Sequence, residues 1–207
     1  MLIPKVKICG ITNLEDAEAA MNFGADLLGF NFYPQSPRYI KPAQAEKIIG
    51  KLPAFIRIVG LFINEKVEHI RSVMDECYMN SLQFHGDETP EFCASFSDLN
   101  VRTIKAIRVR DYKDIKAAEK YYTDAVLLDA FDQNKYGGTG LKFDWNIIGH
   151  MDKRIFLAGG ITPQNVVDAV KLGVYGIDIC SGIESSPGKK DHKKMKELFD
   201  NIRHYRA

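Results

Sequence analysis

The chain has 207 residues, and its 28 Lys and Arg nearly balance its 27 Asp and Glu, which gives a formal net charge of +1. This balance argues against a nucleic-acid-binding protein, which usually carries a basic excess. No apolar run is long enough to cross a bilayer, so we expect no membrane association. The segment Met1–Lys5 is too short for a signal peptide, and the four cysteines form no Cys-x-x-Cys pair. We therefore expect a reduced, cytoplasmic protein without a structural metal.

Short apolar runs alternate with longer stretches of helical periodicity along the chain. The predicted strands are Lys5–Cys9, Leu27–Phe32, Arg57–Phe62, Ser81–Phe84, Arg102–Ile107, Ala125–Asp129, Arg154–Ala158 and Tyr175–Ile179. The predicted helices are Leu14–Phe23, Pro42–Lys51, Glu65–Glu76, Pro90–Ser97, Tyr112–Tyr122, Asp144–His150, Pro163–Leu172 and His192–Tyr205. Eight such units predict a single (β/α)8 TIM barrel in one domain, residues 1–207. A doubly wound open sheet is the alternative, although about six strands usually suffice for it.

Two strand ends carry groups suited to proton transfer. Cys9 ends the first predicted strand and Asp129 ends the sixth, and the carboxyl ends of strands are where barrels do chemistry. Cys9 is either a small core hydrophobe or a base. Asp129 is either a capping or salt-bridged residue or an acid, and burial at that depth favours its protonated form. Together the two residues predict a base and an acid on either side of a substrate.

Glycine-containing loops follow the last two predicted strands. Gly159-Gly160 follows the seventh, and Ser181-Gly182 follows the eighth. Barrels frequently bind phosphate between these loops, because backbone amides there approach an anion closely. The alternative is that the glycines only form turns. A third cluster, Gly137–Gly140, lies in the long loop Phe131–Leu141 and predicts either a lid or a flexible connection.

Three further polar residues lie near strand ends. Arg38 follows Ser36-Pro37, and its forked guanidinium suits a planar carboxylate, although an isolated arginine in a loop is usually solvated. His85 is expected to support the substrate or another residue rather than to carry a proton, and Asp178 is a candidate substrate contact. A basic run near the last helix is interpreted as mainly a solvated face that steers anions at most weakly; it comprises Lys189, Lys190, Lys193, Lys194 and Lys196.

The motifs that contain these residues resemble those of the phosphoribosylanthranilate isomerase family. They occur in order over nearly the whole chain, as Lys7–Thr12, Ser36–Ile40, Leu82–Gly86, Leu128-Asp129, Gly137–Gly140, Leu157–Ile161, Asp178–Glu184 and Pro187–Asp191. Phe84 and Cys180 stand where the family usually has Leu and often has Ser. Neither departure removes a group that the chemistry needs.

The resemblance implies an Amadori rearrangement in tryptophan biosynthesis, in which N-(5′-phosphoribosyl)anthranilate becomes 1-(2-carboxyphenylamino)-1-deoxyribulose 5-phosphate. By this analogy Asp129 protonates the furanose ring oxygen and Cys9, as a thiolate, removes the C2′ proton. Arg38 would hold the anthranilate carboxylate, with Asp178 beside the anthranilate. Amides around Gly160 and Ser181 would hold the phosphate. The partner is then a small phosphosugar, no metal or organic cofactor is needed, and both a monomer and a homodimer remain open.

Three alternatives carry weight beside this resemblance. The histidine-pathway isomerase, which performs the same rearrangement, would place an aspartate at the position of Cys9. Indoleglycerol-phosphate synthase would need a strand-end lysine suited to its ring closure, which we do not find. A non-enzymatic phosphosugar-binding barrel would need neither Cys9 nor Asp129, so their presence counts against it.

Overall fold

Eight parallel strands pair in sequence order, and the last pairs with the first to close a barrel. The computed structural model describes residues 3–132, 137, 140, 142–149 and 151–206. The strands are β1 (Lys5–Cys9), β2 (Leu27–Asn31), β3 (Arg57–Phe62), β4 (Ser81–Phe84), β5 (Arg102–Val109), β6 (Ala125–Ala130), β7 (Ile155–Leu157) and β8 (Gly176–Ile179). The predicted TIM barrel is confirmed, and the open sheet is excluded because β1 and β8 are hydrogen-bonded neighbours.

Helices surround the barrel between successive strands. Those in the described part of the chain are α1 (Leu14–Phe23), α2 (Pro42–Ile49), α3 (Val67–Glu76), α4 (Pro90–Ala94), α5 (Tyr112–Ala117), α6 (Val166–Lys171) and α7 (His192–Ile202). The α-helix predicted over Asp144–His150 is wrong, because its described residues form only a 3₁₀ turn at Trp145–Ile147. The backbone leaves the helical region at Ile148, which is extended with ψ 97°, so the turn does not continue into an α-helix.

A short antiparallel ribbon that the sequence analysis did not predict follows β8. Its strands are β9 (Glu184–Ser186) and β10 (Lys189–Lys190). Gly188 makes the turn between them in the left-handed region, at φ 82°. The ribbon brings Glu184 and Lys190 back over the end of the barrel, where both side chains are buried.

Strand alternation separates the barrel interior from the layer that packs on the helices. On β6, Val126 and Leu128 belong to the core under the helices, whereas Ala125 and Leu127 belong to an apolar cluster inside the barrel. Asp129 continues the inward-facing set of β6. The apolar interior cluster comprises Leu27, Val59, Ile104, Ala106, Ala125, Leu127, Phe156 and Ala158. This cluster fills the barrel interior below the carboxyl-terminal ends of the strands. The polar side chains lie above it, at the carboxyl-terminal mouth.

The register of β1 determines which side chains meet where the barrel closes. Lys7 lies opposite Asp178 on β8, and Cys9 lies opposite Gly29 on β2. Lys7 and Cys9 are two residues apart, so they share the inward face of the strand. The closure of the barrel therefore places a lysine, a thiol and a carboxyl side by side.

The proposed lid, Phe131–Leu141, falls largely outside the described residues. Of its glycine cluster only Gly137 and Gly140 are described, and both line the pocket at the barrel mouth. Within the residues that the structure describes, no helix is long and apolar enough to cross a membrane.

The interior packing predicts the cost of a cavity at Leu127, which is fully buried. Leu127→Ala should lower the free energy of unfolding by about 2–5 kcal/mol, because the closed barrel cannot collapse into the space. Urea denaturation measures this loss. Leu172→Ala is the control, since Leu172 is 38% exposed and should lose far less. Equal losses in the two variants would contradict the packing described here.

Candidate active site

One pocket at the carboxyl-terminal mouth brings together every site residue proposed from the sequence. These residues are Cys9, Arg38, His85, Asp129, Gly159, Gly160, Asp178, Ser181 and Gly182. Asn31, Ser36 and Cys180 also line the pocket. A thiol, two carboxyls, an imidazole and a guanidinium therefore face the same small space, next to two glycine loops.

Cys9 is buried at the base of this pocket in surroundings that favour its thiolate. The neighbouring Cys180 thiol favours the ionised form of Cys9, burial opposes it, and the cations of Lys7 and Lys190 favour it. Together these contacts hold the pKa of Cys9 well below its usual range and raise that of Cys180. All four cysteines are free. Burial raises the pKa of Cys77 and of Cys93 to about 12, so Cys9 is the thiol suited to act as a base.

Asp178 forms a buried ion pair that the sequence analysis did not anticipate. The ammonium of Lys7 lies 3.0 Å from each carboxylate oxygen of Asp178. Burial raises the pKa of Asp178 to about 7; Lys7 opposes this rise, and the charges of Cys9 and Asp129 add to it. The residue proposed to line the anthranilate side is therefore also the counter-ion of a fully buried lysine.

Asp129 lies at the end of β6 with His85 beside it. Its Oδ1 accepts a hydrogen bond from the Ala130 amide at 2.9 Å, and its Oδ2 lies 3.2 Å from Nε2 of His85, off the line of a hydrogen bond. The Gln83 amide nitrogen lies 2.9 Å from Nδ1 of His85. When that amide donates, the imidazole proton is on Nε2 and faces Asp129. His85 thus lies against the carboxyl of Asp129, and its role as a supporting group stays a prediction.

Glycines permit the close approach of backbone to Asp129. A Cβ at Gly159 would lie 3.0 Å from Oδ1 of Asp129 and 2.8 Å from the Ala130 amide nitrogen, and Gly159 has φ 83°. A Cβ at Gly137 would lie 3.0 Å from Oδ2 of Asp129 and 2.9 Å from Nε2 of His85. Any larger residue at either position would push on the carboxyl or the imidazole.

Arg38 is buried and held by a carboxylate rather than solvated. Its Nε and Nη2 donate to the two oxygens of Glu184 at 2.9 and 2.7 Å. Lys190 also binds Glu184, at 3.0 Å. Burial opposes the charge of Glu184, but the hydrogen bond from Arg38 and the charge of Lys190 outweigh it and hold the pKa of Glu184 below its usual range. This arrangement fixes the guanidinium through its Nε and Nη2 atoms.

The interpretation of the basic run as a solvated face is wrong for Lys190. This residue is buried by the β9–β10 ribbon, whereas Lys189, Lys193, Lys194 and Lys196 are exposed. Lys190 also donates to the carbonyl oxygen of Cys180 at 3.3 Å. It is therefore a structural cation of the β8 loop.

The two glycine loops after β7 and β8 pack directly on each other. A Cβ at Gly182 would collide with the carbonyl oxygen of Ile161, so only glycine permits this approach. The Asn165 side chain donates to the carbonyl of Gly160 at 2.8 Å and accepts from the Thr162 amide at 2.8 Å. These contacts satisfy the Gly160 carbonyl and the Thr162 amide within the loop that follows β7.

Lys7 and Glu184, which hold Asp178 and Arg38, were not proposed as site residues from the sequence. Both stand in the quoted motifs, but neither received a role. The alternation of Val6 and Ile8 with Lys7 and Cys9 was a usable signal, because it places Lys7 on the same strand face as the thiol. Among the residues that the structure describes, no three His, Cys, Asp or Glu side chains are grouped to hold a metal.

Comparisons with known proteins agree with this geometry. The family model for N-(5'phosphoribosyl)anthranilate (PRA) isomerase matches residues 6–201. The N-(5'-phosphoribosyl)anthranilate isomerase of Geotalea uraniireducens is 46% identical over 198 residues, which cover 94% of this chain and 96% of that protein. The crystal structure of phosphoribosyl anthranilate isomerase from Thermus thermophilus matches with a TM-score of 0.88 at 33% identity and covers 97% of this chain and 98% of that one.

Two further structures bear on ligand and assembly. A phosphoribosyl anthranilate isomerase in complex with reduced 1-(o-carboxyphenylamino)-1-deoxyribulose 5-phosphate matches at 37% identity with a TM-score of 0.83, covering 97% of this chain and 99% of that one. Monomers generated from the dimeric enzyme of Thermotoga maritima match at 36% identity with a TM-score of 0.84 and the same coverage. These matches favour the resemblance over the sister barrels. The chain belongs to the N-(5′-phosphoribosyl)anthranilate isomerase family.

Proposed function

We propose that this isomerase of tryptophan biosynthesis works by acid–base catalysis, with Cys9 as the base and Asp129 as the acid. One observation carries the proposal: a thiol whose ionised form is favoured and a buried carboxyl line the same pocket. They extend from β1 and β6, which β7 and β8 separate around the barrel. A substrate that lies across the mouth is therefore reached from two sides.

The rearrangement needs a proton donor and a proton acceptor at different atoms. Asp129 gives its proton to the furanose ring oxygen, and the C1′–O bond breaks to leave a protonated Schiff base. The positive nitrogen acidifies the C2′ proton, which the Cys9 thiolate removes as the electron pair moves into the C1′–C2′ bond. The resulting enolamine tautomerises to the aminoketose. The substrate's own nitrogen is the electron sink, so the proposed reaction uses no metal or organic cofactor.

The remaining site residues hold the two anionic ends of the substrate. Arg38, kept in place by Glu184, binds the anthranilate carboxylate, and Asp178, which lines the same pocket, lies beside the anthranilate. The amides around Gly160, Ser181 and Gly182 bind the 5′-phosphate. Anion contacts at both ends align C2′ with the thiol, which is how bound geometry lowers a barrier. A thiolate base requires a reducing compartment, so we place the activity in the cytoplasm.

We also propose that the chain assembles as a homodimer through the amino-terminal mouth of its barrel. The related enzyme of Thermotoga maritima is described as dimeric. In this chain Phe55 precedes β3, is 98% exposed and lines a cavity of about 620 Å³ together with Phe156 and Tyr175. An aromatic side chain this exposed, beside a cavity with other aromatic residues in its wall, is favourable only when another surface covers it.

The dimer is tested by removing this aromatic side chain. Phe55→Ser should convert the dimer to a monomer, because the interface loses its most exposed ring. Light scattering after size exclusion measures the mass. Tyr112→Ser is the control, since Tyr112 is also exposed but begins α5 at the other end of the barrel. A wild-type protein that is monomeric at high concentration would contradict the proposal.

Cys9→Ala tests the base. It should lower kcat by about 10² to 10⁴-fold, the usual contribution of a positioned base, while the barrel stays folded because the removed atom leaves a small void. Cys93→Ala, which removes a buried thiol outside the pocket, should keep wild-type turnover. In the wild-type enzyme the acid limb of kcat/KM reports deprotonation of Cys9 and should lie below the pKa of an ordinary thiol. Wild-type turnover by Cys9→Ala would refute the role.

Asp129→Asn tests the acid and separates an isomerase from a binding protein. The amide keeps the size and polarity of the carboxyl but offers no proton for transfer. Turnover should fall by about 10²-fold or more, equivalent to about 2.7 kcal/mol of transition-state stabilisation. Product affinity, measured by calorimetry, should change little because Arg38 and the phosphate loops remain. Intact turnover would show that another group is the acid.

A further inference from the structure

Lys7 is buried inside the barrel directly beside Cys9. Its side chain has no solvent exposure, and it lies on the same inward face of β1 as the thiol. A Cβ at Gly29 would lie 2.9 Å from Sγ of Cys9 and 3.2 Å from Cε of Lys7. The side chains of Lys7 and Cys9 thus both lie over Gly29, which leaves room for them because it has no Cβ. The two 3.0 Å contacts with Asp178 hold the ammonium at this point.

The charged and titratable groups around Cys9 come from several elements. They are Lys7 on β1, Asp129 on β6, Asp178 on β8, Cys180 directly after β8, Lys190 on β10, and Arg38 in the loop after β2. Lys190 and Arg38 already share the carboxylate of Glu184. Lys7 instead lies between two acids, Asp178 and Cys9, and burial favours the neutral form of Asp178. The charge of Lys7 is therefore less fully neutralised by its carboxylate partner, so it can stabilise a thiolate at Cys9.

Cys180 also contacts Cys9, but a thiol is a weak hydrogen-bond donor. A full positive charge in a desolvated interior acts more strongly and over a longer distance. Ionisation of Cys9 should therefore depend on Lys7 more than on Cys180.

We propose that Lys7 is a positioning residue for the isomerisation, whose buried ammonium, held by Asp178, keeps Cys9 ionised and fixed at the base of the pocket. The inference rests on the proposed role of Cys9 as the base. It assigns to Lys7 an effect on the thiol that is separate from its contribution to the fold.

The test follows alkylation of Cys9 by iodoacetamide as a function of pH in the free protein, with the modified peptide quantified by mass spectrometry. Lys7→Met should move the midpoint up by about one pH unit or more, because the thiolate loses its cation. Asp178→Asn should move the midpoint down, since the neutral amide leaves the whole charge of Lys7 to Cys9. Cys180→Ser keeps a donor at the same place and should change the midpoint little.

Opposite shifts in Lys7→Met and Asp178→Asn distinguish an electrostatic role from loosened packing, which would move both midpoints in the same direction. Shifts of the same sign, or an unchanged midpoint in Lys7→Met, would overturn the proposal. The double variant Lys7→Met/Asp178→Asn buries no unpaired charge, so it provides the measurement if Lys7→Met does not fold, and its midpoint should also rise.

Alkylation does not require turnover, so it tests the Lys7 proposal independently of the proposed function. The acid limb of kcat/KM in Lys7→Met should move by the same amount as the alkylation midpoint. If the midpoint moves and the acid limb does not, Lys7 controls the thiol but Cys9 is not the base. If neither moves, the Lys7 proposal is wrong whatever the role of Cys9.

Discussion

The buried ion pair between Lys7 and Asp178 is the constraint around which the catalytic end of this barrel is built. An ammonium placed in the interior costs several kcal/mol unless a carboxylate with good geometry compensates it. The compensation here depends on the pairing of the first strand with the last, since Lys7 and Asp178 are opposite each other in that register. The barrel must therefore close in this register for the buried charge of Lys7 to be balanced.

The same rule applies to the other buried cations of the described chain. Lys105 is paired with Glu88, while Lys190 and Arg38 share Glu184. Below them the interior is apolar, and its cluster of aliphatic and aromatic side chains excludes water from the base of the site. Electrostatic effects are strong in such surroundings. The site thus gains a field that favours a thiolate, and the paired carboxylates limit the cost of the charges that produce it.

The sequence predicts the barrel well because the signal for it is local. Each unit carries its own apolar run and helical period, and the only α-helix predicted in error is the shortest, at Trp145. The polar strand ends likewise predict the pocket, since parallel strands finish at one edge. The pairs Lys7–Asp178 and Arg38–Glu184 join residues more than a hundred positions apart. No local pattern contains that information, and Lys190 was misread because a run of lysines does not reveal that a ribbon folds one of them inward.

The shared cation also bears on how the pH dependence of this enzyme should be interpreted. Cys9 and Asp178 both lie beside Lys7, and each favours the neutral form of the other when it is ionised. Two acids coupled in this way titrate as a pair, so the midpoints seen in activity belong to the pair rather than to one residue. Protonation of Asp178 near neutral pH strengthens the hold of Lys7 on the thiolate. Asp178 is thus linked, through one buried lysine, to the thiol that we propose as the base.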